Sequence, residues 1–511
     1  MITRAVLIRD AALSVLLLGG VFAYNARYCD DSIFTTDGVD YLRDVRRGFW
    51  ANYFDTQSGG LWGLISVIRN HPEARSGLWD YLERNDDAAA DLHFHVPVGL
   101  YPNMVARNFG GGDRAQRLVA AGEGGLVAAI VFAGLRFAGV ALPVSFLTAA
   151  FVGLSPAMVS SSTDVSPHMV FLAAVLIAGF ALARFLETGA KSALALAAGS
   201  FAASAATLEL SIIAALAFFA GAGVWLLRMK RKEVRFFLMP AAMVFAAVSF
   251  IVWPGGWIRG GYALSYGVFI FLALFRRENY FGSDSLAVTS MRAAQQSSLI
   301  LIVFAMTVAG VIYLLAKRRW SPYLQIFALL AAGFAGQGML NHFRNPAYAS
   351  HFIVTAGVVF ALCVQSLLDA SEGSARYAVW AAASAGMLLA VLGARGWPAL
   401  SLQRQQEQRA SSDRVEEVTE QVKRNWPVGS TIVSNNRFNG VWRYYLPGYR
   451  IEKTTSAETL EPRYGTQSRE YAVIALPELL SDHWRQELER NDHQKVGGFV
   501  ISRMSAPSAG Q

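Results

Sequence analysis

Residues 154–186 decide the fold of this chain, and they read LSPAMVSSSTDVSPHMVFLAAVLIAGFALARFL. The second part, 165–186, is an almost charge-free stretch long enough to cross a lipid bilayer as one helix. The first part completes another such stretch, 141–161, and only a few polar residues, among them Asp164, separate the two. The pattern predicts two membrane-spanning helices joined by a short turn that carries a carboxylate at the membrane surface.

Stretches of this kind recur along most of the 511 residues, 54% of which are hydrophobic and 16% charged. About eleven of them, each roughly 16–22 residues long, predict transmembrane helices. They lie at 11–26, 118–138, 141–161, 165–186, 192–208, 211–227, 234–253, 297–316, 323–340, 350–368 and 376–394. The first has a signal peptide as its alternative, because Val21-Phe22-Ala23 ends in a small residue. This composition excludes a soluble enzyme, a disordered protein and a disulfide scaffold.

Basic residues predict the orientation of the spans, since Lys and Arg accumulate in cytoplasmic loops. The same rule explains the net charge of +8 without a nucleic-acid partner. The residues that fall on one side are Arg4, Arg9, Arg136, Arg184, Lys191, the cluster 228–232, the cluster 317–319 and Arg376. With the N-terminus in the cytoplasm, an odd number of spans places the segment 27–117 and the C-terminal tail outside.

Two domains are predicted. Residues 1–394 form a mainly α-helical polytopic membrane domain, and its outer loop 27–117 has apolar residues at helical spacing around 39–54 and 61–68. These two stretches predict amphipathic helices that lie on a membrane face. Residues 395–511 are charged and predict a small α/β domain outside the membrane. Its predicted elements are a helix over 404–425 and strands at 431–433, 471–475 and 498–501.

An acidic motif follows the first span. Residues 30–41 read DDSIFTTDGVDY and include Asp37. Such a cluster can hold a divalent cation or accept a proton from a hydroxyl group, and the alternative is a solvated acidic loop. Asp164 also has two interpretations, as a functional carboxylate between two spans or as the cap of the following helix.

Cationic and donor side chains are found in the other predicted outer segments. His93 and His95 could share one face of an extended segment, which is a weak indication of a metal site and equally suits a phosphate contact. Arg276 and Arg344 could bind the phosphate of a lipid-linked substrate. The alternative for each arginine is snorkelling, in which the charge only reaches the lipid headgroups.

These motifs, in this order, resemble those of the C-type (GT-C) polytopic glycosyltransferases. Members of that superfamily include protein O-mannosyltransferases, the lipid A aminoarabinose transferase and bacterial lipopolysaccharide galacturonosyltransferases. Asp37 matches the key aspartate of the family's first outer loop, with Gly38 in place of a second acid. The further matches are His95-Val96-Pro97-Val98, Asn108-Phe109-Gly110 with Arg114 and Arg117, Leu154-Ser155-Pro156 before Asp164, and Tyr444-Tyr445-Leu446-Pro447-Gly448 in the tail.

The resemblance implies a multi-pass enzyme of the bacterial inner membrane with a periplasmic C-terminal domain. It would transfer a hexose or pentose from a polyprenyl phosphate to a lipid, polysaccharide or protein of the cell envelope, with inversion at the sugar. Asp37 would act as the base, and Asp164 would be the second catalytic carboxylate. His95, Arg276 and Arg344 would bind the donor phosphate. Membrane lipids would be further partners. A divalent cation, Mg²⁺ or Mn²⁺, is left open as a cofactor, with Asp37 and Asp164 as its candidate ligands.

Two other classes of function are compatible with many apolar spans. A transporter or lipid flippase without transferase activity tends to have ionisable residues at mid-membrane and inverted repeats. Here the ionisable residues collect at the predicted outer face, and the sequence has no internal repeat. A structural subunit with a receptor-like tail would leave the acidic motif and Asp164 unexplained.

Overall fold

The computed structural model describes residues 4–34, 38–56, 59–76, 96–228, 231–267, 321–340, 346–371, 373, 376–377, 380, 396–435, 439–454, 458–462 and 470–505. The chain divides into two compact units. We call Met1–Cys29 with Arg47–Leu402 the membrane unit. Asp30–Arg46 together with Gln403–Gln511 is the C-terminal unit. The segment that contains the acidic motif therefore clusters with the tail.

Helices make up most of the described chain. In order they are α1 (Arg4–Ala26), α2 (Gly38–Arg47), α3 (Phe49–Tyr53), α4 (Gly60–Asn70), α5 (Pro72–Ser76), α6 (Tyr101–Asn108), α7 (Asp113–Phe137), α8 (Leu142–Gly153), α9 (Pro156–Ser161), α10 (His168–Thr188), α11 (Lys191–Ala205), α12 (Ser211–Arg228), α13 (Arg231–Val252), α14 (Pro254–Ile258), α15 (Pro322–Leu340), α16 (Pro346–Ala370), α17 (Trp397–Asn425), α18 (Asn439–Tyr445) and α19 (Asp482–Arg490). The predicted mainly α-helical class is confirmed.

Within the described residues, 6 helices are long and apolar enough to cross a membrane. They are α1, α7, α10, Lys232–Val252 within α13, α15 and α16. The apolar helices α8 and Ser211–Leu227 of α12 are shorter. The predicted span 297–316 lies outside the described residues, as does 376–394 apart from residues 376, 377 and 380.

The predicted span 141–161 is not one helix. Helix α8 ends at Gly153, and α9 begins at Pro156. Proline has no backbone N–H, and its ring clashes with the preceding helical turn, so a helix rarely continues through it. The hydroxyl of Ser155 donates to the Val152 carbonyl at 2.9 Å and so satisfies one of the carbonyls left open where α8 ends. The helix is therefore interrupted between Gly153 and Pro156, before the turn that holds Asp164.

Helices α1 and α7 run antiparallel. Near one end, Nε of Arg136 in α7 pairs with Oδ2 of Asp10 in α1 at 2.9 Å. Further along, Gly125 of α7 lies directly against the backbone of Leu18 in α1. Two more cations join the end marked by Arg136: the Arg184 guanidinium lies 5.4 Å from the Phe137 ring centroid, and Lys191 stacks on Phe236 in α13. As the basic pattern predicts, these cations share one end of the membrane unit.

Burial separates the central helices from the peripheral ones. The apolar windows of α16 and α10 are 83% and 72% buried, whereas those of α1 and α13 are 11% and 6% buried. Apolar helices whose side chains stay uncovered by protein suit contact with lipid acyl chains. Helices α10 and α16 thus form the centre of the membrane unit, and α1 and α13 its lipid-facing rim.

The C-terminal unit contains a five-stranded sheet in the order β2-β1-β3-β5-β4. Its strands are β1 (Thr431–Ser434), β2 (Arg450–Lys453), β3 (Glu470–Ala475), β4 (His493–Val496) and β5 (Phe499–Ser505). Strands β1, β2 and β3 pair in parallel, while β5 pairs antiparallel with β3 and β4. The three predicted strands correspond to β1, β3 and β5. The predicted helix 404–425 lies within α17 and buries Val415, Val418 and Val422, as its spacing indicates.

Candidate functional site

Asp164 is the one predicted site residue that the structure describes. Asp37, His95, Arg276 and Arg344 lie outside the described residues. The described chain nevertheless includes the immediate neighbours of three of them: Phe34 and Gly38 around Asp37, Val96 after His95, and Pro346 shortly after Arg344. These neighbours show which elements contact the chain next to each candidate residue within its own unit.

The turn between α9 and α10 is built mainly from local hydrogen bonds. The hydroxyls of Ser161, Ser162 and Thr163 donate to carbonyls four residues earlier, at 2.8, 2.5 and 2.9 Å. Oδ1 of Asp164 accepts the N–H of the adjacent Val165 at 2.9 Å. A capping aspartate instead accepts from the second or third residue of its helix. The N-terminal cap position of α10 is Pro167, with no side-chain capping bond, so the capping interpretation of Asp164 is not supported.

Helices α1 and α7 both contact this turn. Nδ2 of Asn25, at the end of α1, donates to Oγ of Ser162 at 2.8 Å, and both side chains are buried. A side chain at Gly124 of α7 would come within 2.6 Å of the Ser162 Cβ. Because only glycine leaves room at that point, the turn packs directly on the α7 backbone.

The segment that follows His95 packs on the same turn. A Cβ at Gly99 would lie 2.4 Å from Cβ of Pro167 and 2.7 Å from Cγ2 of Thr207. Two residues after Thr207, Glu209 is buried, with 4% of its surface exposed. Three stretches that are far apart in the sequence therefore meet at the end of the membrane unit opposite Arg136 and Arg184: the Asp164 turn, the chain after His95, and Thr207 to Glu209.

A buried histidine pair joins the two central helices near this end. Nδ1 of His168 and Nε2 of His351 are 3.3 Å apart, and both residues are buried. Aromatic rings surround His351, with centroids 5.3 Å away for Phe171 and 5.2 Å away for Phe334. The sequence analysis did not single out this pair. The sequence does show that each histidine stands near the start of an apolar run, which places both near an end of a predicted span.

Hydrogen bonds from aromatic side chains connect chain segments before and after His95 to the end of α13. The hydroxyls of Tyr53 and Tyr101 donate to the carbonyls of Ile251 and Val252 at 2.6 and 3.0 Å. Nε1 of Trp253 donates to the Asn52 carbonyl at 3.0 Å. Burial raises the pKa of the Tyr101 hydroxyl, and the neighbouring Tyr53 adds to the shift, so this group remains a neutral donor.

The predicted amphipathic helices differ in their surroundings. Helix α2 buries Val39, Leu42 and Val45, which recur at helical spacing. Helix α4 belongs to the membrane unit and leaves Trp62 65% exposed. An exposed tryptophan next to apolar spans is typical of a side chain at the membrane–water interface.

The acidic segment, which we define as Asp30–Arg46, is held by tail residues of its own unit. The N–H of Ile33 donates to Oγ of Ser412 at 2.7 Å, and the N–H of Phe34 donates to the Tyr445 hydroxyl at 2.7 Å. At the other end, Nη1 of Arg46 donates to the Tyr444 carbonyl at 2.9 Å. The chain before Asp37 and the chain after it are therefore both held by residues of the tail.

The described residues test the predicted cation site only in part. Among them, no group of three or more His, Cys, Asp or Glu side chains could hold a metal ion. Asp164 offers the carboxylate oxygens that Mg²⁺ and Mn²⁺ favour, and its predicted co-ligand Asp37 lies outside the described chain.

No protein-family model and no curated protein matches the sequence. Solved structures do match. ArnT from Cupriavidus metallidurans in the apo state is 12% identical, with a TM-score of 0.57 over 96% of this chain and 97% of that one. The same protein bound to undecaprenyl phosphate is 11% identical, with a TM-score of 0.54 over 97% of this chain and 99% of that one.

A third match is the S. cerevisiae protein O-mannosyltransferase Pmt1-Pmt2 complex bound to the sugar donor. It is 15% identical over 54% of this chain and 34% of that one, and its TM-score of 0.35 is too low to establish a common fold. The ArnT matches, by contrast, extend over nearly the whole of both chains. The predicted resemblance is therefore confirmed at the level of the fold, which this chain shares with ArnT.

Proposed function

We propose that this protein is a glycosyltransferase that moves a sugar from a polyprenyl phosphate to a cell-envelope acceptor at the outer face of the membrane. The observation that carries the proposal is the fold shared with ArnT bound to undecaprenyl phosphate, over 97% of this chain and 99% of that one. The clustering of the Asp164 turn, the chain after His95 and Glu209 at one end of the membrane unit supports it.

The proposed chemistry is a single displacement. Asp37 takes the proton from an acceptor hydroxyl, and the freed oxygen attacks the anomeric carbon of the sugar. The bond to the polyprenyl phosphate breaks, and the attack from the opposite side inverts the anomeric centre. His95, Arg276 and Arg344 donate to the phosphate oxygens, whose charge increases as the bond breaks. An arginine there can bind two oxygens at once through its planar guanidinium.

Asp164 has a second role in this proposal. Its carboxylate lies in a turn whose backbone is fixed by Ser161, Ser162 and Thr163, so it could orient the acceptor with little loss of entropy. If the enzyme binds Mg²⁺ or Mn²⁺, Asp37 and Asp164 would hold the ion. Such an ion would neutralise part of the charge on the leaving phosphate.

We also propose eleven spans with the N-terminus in the cytoplasm and the tail in the periplasm of a bacterial inner membrane. Asp30–Arg46 and Gln403–Gln511 form one compact unit and so must lie on the same side of the membrane. The chain between these two segments must then cross the membrane an even number of times. The ten predicted spans that follow the first one satisfy this condition. Labelling single cysteines at exposed positions of both segments with a membrane-impermeant reagent tests it. Labelling of only one segment in intact cells would contradict the topology.

Mass spectrometry of cell-envelope glycans and lipids tests the function in cells. We expect one sugar substituent to disappear when the gene is deleted and to return when the wild-type gene is restored, but not when Asp37→Asn is restored. The identity of the missing substituent would name the sugar and the acceptor. An unchanged glycan and lipid profile in the deletion strain would contradict the proposal.

A further inference from the structure

We infer that the tail, Gln403–Gln511, positions the acidic segment for catalysis, with Ser412, Tyr444 and Tyr445 as positioning residues. The inference deepens the proposed function and rests on it, because it assigns a catalytic purpose to a tail that contributes none of the proposed catalytic residues itself. Asp37 lies within the acidic segment, and the groups that hold that segment come from the tail.

The first part of the argument is the attachment before Asp37. Two consecutive amides, those of Ile33 and Phe34, donate to two tail hydroxyls at 2.7 Å each. Ser412 is 1% exposed and Phe34 is fully buried, so each partly buried bond has one partner shielded from water. Because these bonds use the backbone of the segment, they fix the path of the chain whatever its side chains are.

A second attachment follows Asp37. The guanidinium of Arg46 lies 3.5 Å from the centroid of the Tyr444 ring and donates to the carbonyl of the same residue at 2.9 Å. Arginine combines stacking on an aromatic ring with hydrogen bonding through its planar fork, which lysine cannot reproduce. Arg46 therefore fixes the end of α2 to a single residue of the tail.

The third observation is that adjacent residues make the two attachments. Tyr444 binds Arg46, and Tyr445 binds the N–H of Phe34. Both tyrosines stand at the end of α18, and the rings are 4.8 Å apart in an edge-to-face arrangement. The end of one short helix thus contacts the acidic segment both before and after Asp37. Asp37 follows Phe34 by three residues, so their Cα atoms are at most about 11 Å apart.

This arrangement matters because proton abstraction requires the base within hydrogen-bond distance of the acceptor hydroxyl. A displacement of about 1 Å at a reacting group can lower the rate roughly a hundredfold. An attachment that only stabilised the tail would affect folding and leave turnover of the folded enzyme unchanged. The two roles therefore differ in a measurable way.

The test compares Tyr445→Phe with Tyr449→Phe in the full-length protein. Tyr449 belongs to the same unit, and its hydroxyl donates to the Trp426 carbonyl at 2.9 Å, within the tail. In Tyr445→Phe we expect amide hydrogen exchange of the peptide that covers Ile33 and Phe34 to be about two- to tenfold faster. We expect kcat to fall about tenfold or more, with the KM for the donor within about twofold of wild type. Tyr449→Phe should change none of these quantities.

A second pair of variants keeps the inference testable if Tyr445→Phe does not fold. Ser412→Ala removes the other acceptor, and Ser430→Ala is its control, since Oγ of Ser430 donates only locally, to the Pro427 carbonyl. Unchanged exchange at Ile33 and Phe34 in Tyr445→Phe and Ser412→Ala would overturn the inference. So would unchanged kcat despite faster exchange, or equal losses in the control variants. A wild-type protein that consumes no donor would instead refute the proposed function, and hydrogen exchange would still decide whether the tail holds the segment.

Discussion

The Asp164 turn and the acidic segment are held in different ways. In the turn, Ser161 bonds a carbonyl four residues away, and Asp164 accepts the N–H of its own neighbour. In the acidic segment, the amides of Ile33 and Phe34 donate to residues that are 379 and 411 positions later in the sequence. The chain around one proposed catalytic carboxylate is thus held largely by local hydrogen bonds, whereas the chain before and after the other is held by a distant tail.

This difference shows how the work is divided between the two units. In the membrane unit, the turn contacts α1 and α7, and in the C-terminal unit, the tail provides the attachment of the chain before and after Asp37. Changes in the tail should therefore affect the acidic segment, whereas changes in α7 should affect the turn. The following variants test each side of this comparison.

Asp37→Asn should have the largest effect. The amide keeps the shape of the carboxylate but cannot take up the proton of the acceptor, so turnover should fall about 10²–10⁴-fold. Thermal unfolding of the purified variant should match that of the wild type. Turnover above about a tenth of the wild-type value would show that Asp37 is not the base.

Gly124→Ala should disturb the turn and leave the acidic segment intact. The new Cβ would lie 2.6 Å from the Ser162 Cβ and 3.1 Å from Nδ2 of Asn25. Overpacking of this kind typically costs about 1–3 kcal/mol, which a lowered unfolding temperature would reveal.

Gly122→Ala is the matched control in the same helix, because nothing lies within 4 Å of a Cβ at that position. Alanine is a better helix former than glycine, so this variant should be neutral or about 0.5–1 kcal/mol more stable. Equal destabilisation of the two variants would contradict the close packing of the turn on α7.

Asp164→Asn should have a smaller effect on turnover than Asp37→Asn and almost none on stability. Asparagine can still accept the N–H of Val165, which the carboxylate accepts at 2.9 Å. We expect stability within about 0.5 kcal/mol of wild type and turnover about tenfold lower, because one charge near the reaction is lost. Full activity in steady-state kinetics would restrict Asp164 to a structural role.

Sequence patterns predicted the parts of this fold that depend on local or periodic features. Apolar run length predicted α7, α10 and α16, and the spacing of Val415, Val418 and Val422 predicted a face of α17. The break at Pro156 was missed, because the apolar run continues through it even though the helix ends. Strands β2 and β4 were also missed, since their sequences RIEK and HQKV are mostly polar, whereas β1, which is equally short, contains the apolar pair Ile432-Val433.

Contacts between distant residues were not predicted from the sequence. The bond between His168 and His351 joins two helices 183 residues apart, and neither histidine belongs to a motif that predicts its partner. The attachment of the acidic segment uses backbone amides, which any sequence would supply. Motif spacing identified Asp164 as a candidate, but only the structure showed that it does not cap α10.

The most direct test of the account is a turnover measurement with purified protein in lipid nanodiscs. The protein is supplied with a polyprenyl-phosphate-linked sugar and envelope acceptors, and free polyprenyl phosphate and glycosylated acceptor are quantified together. We predict that the two products appear in equal amounts with the wild-type protein and that Asp37→Asn forms both about 10²–10⁴-fold more slowly. An unconsumed donor, or equal product formation by wild type and Asp37→Asn, would contradict the account.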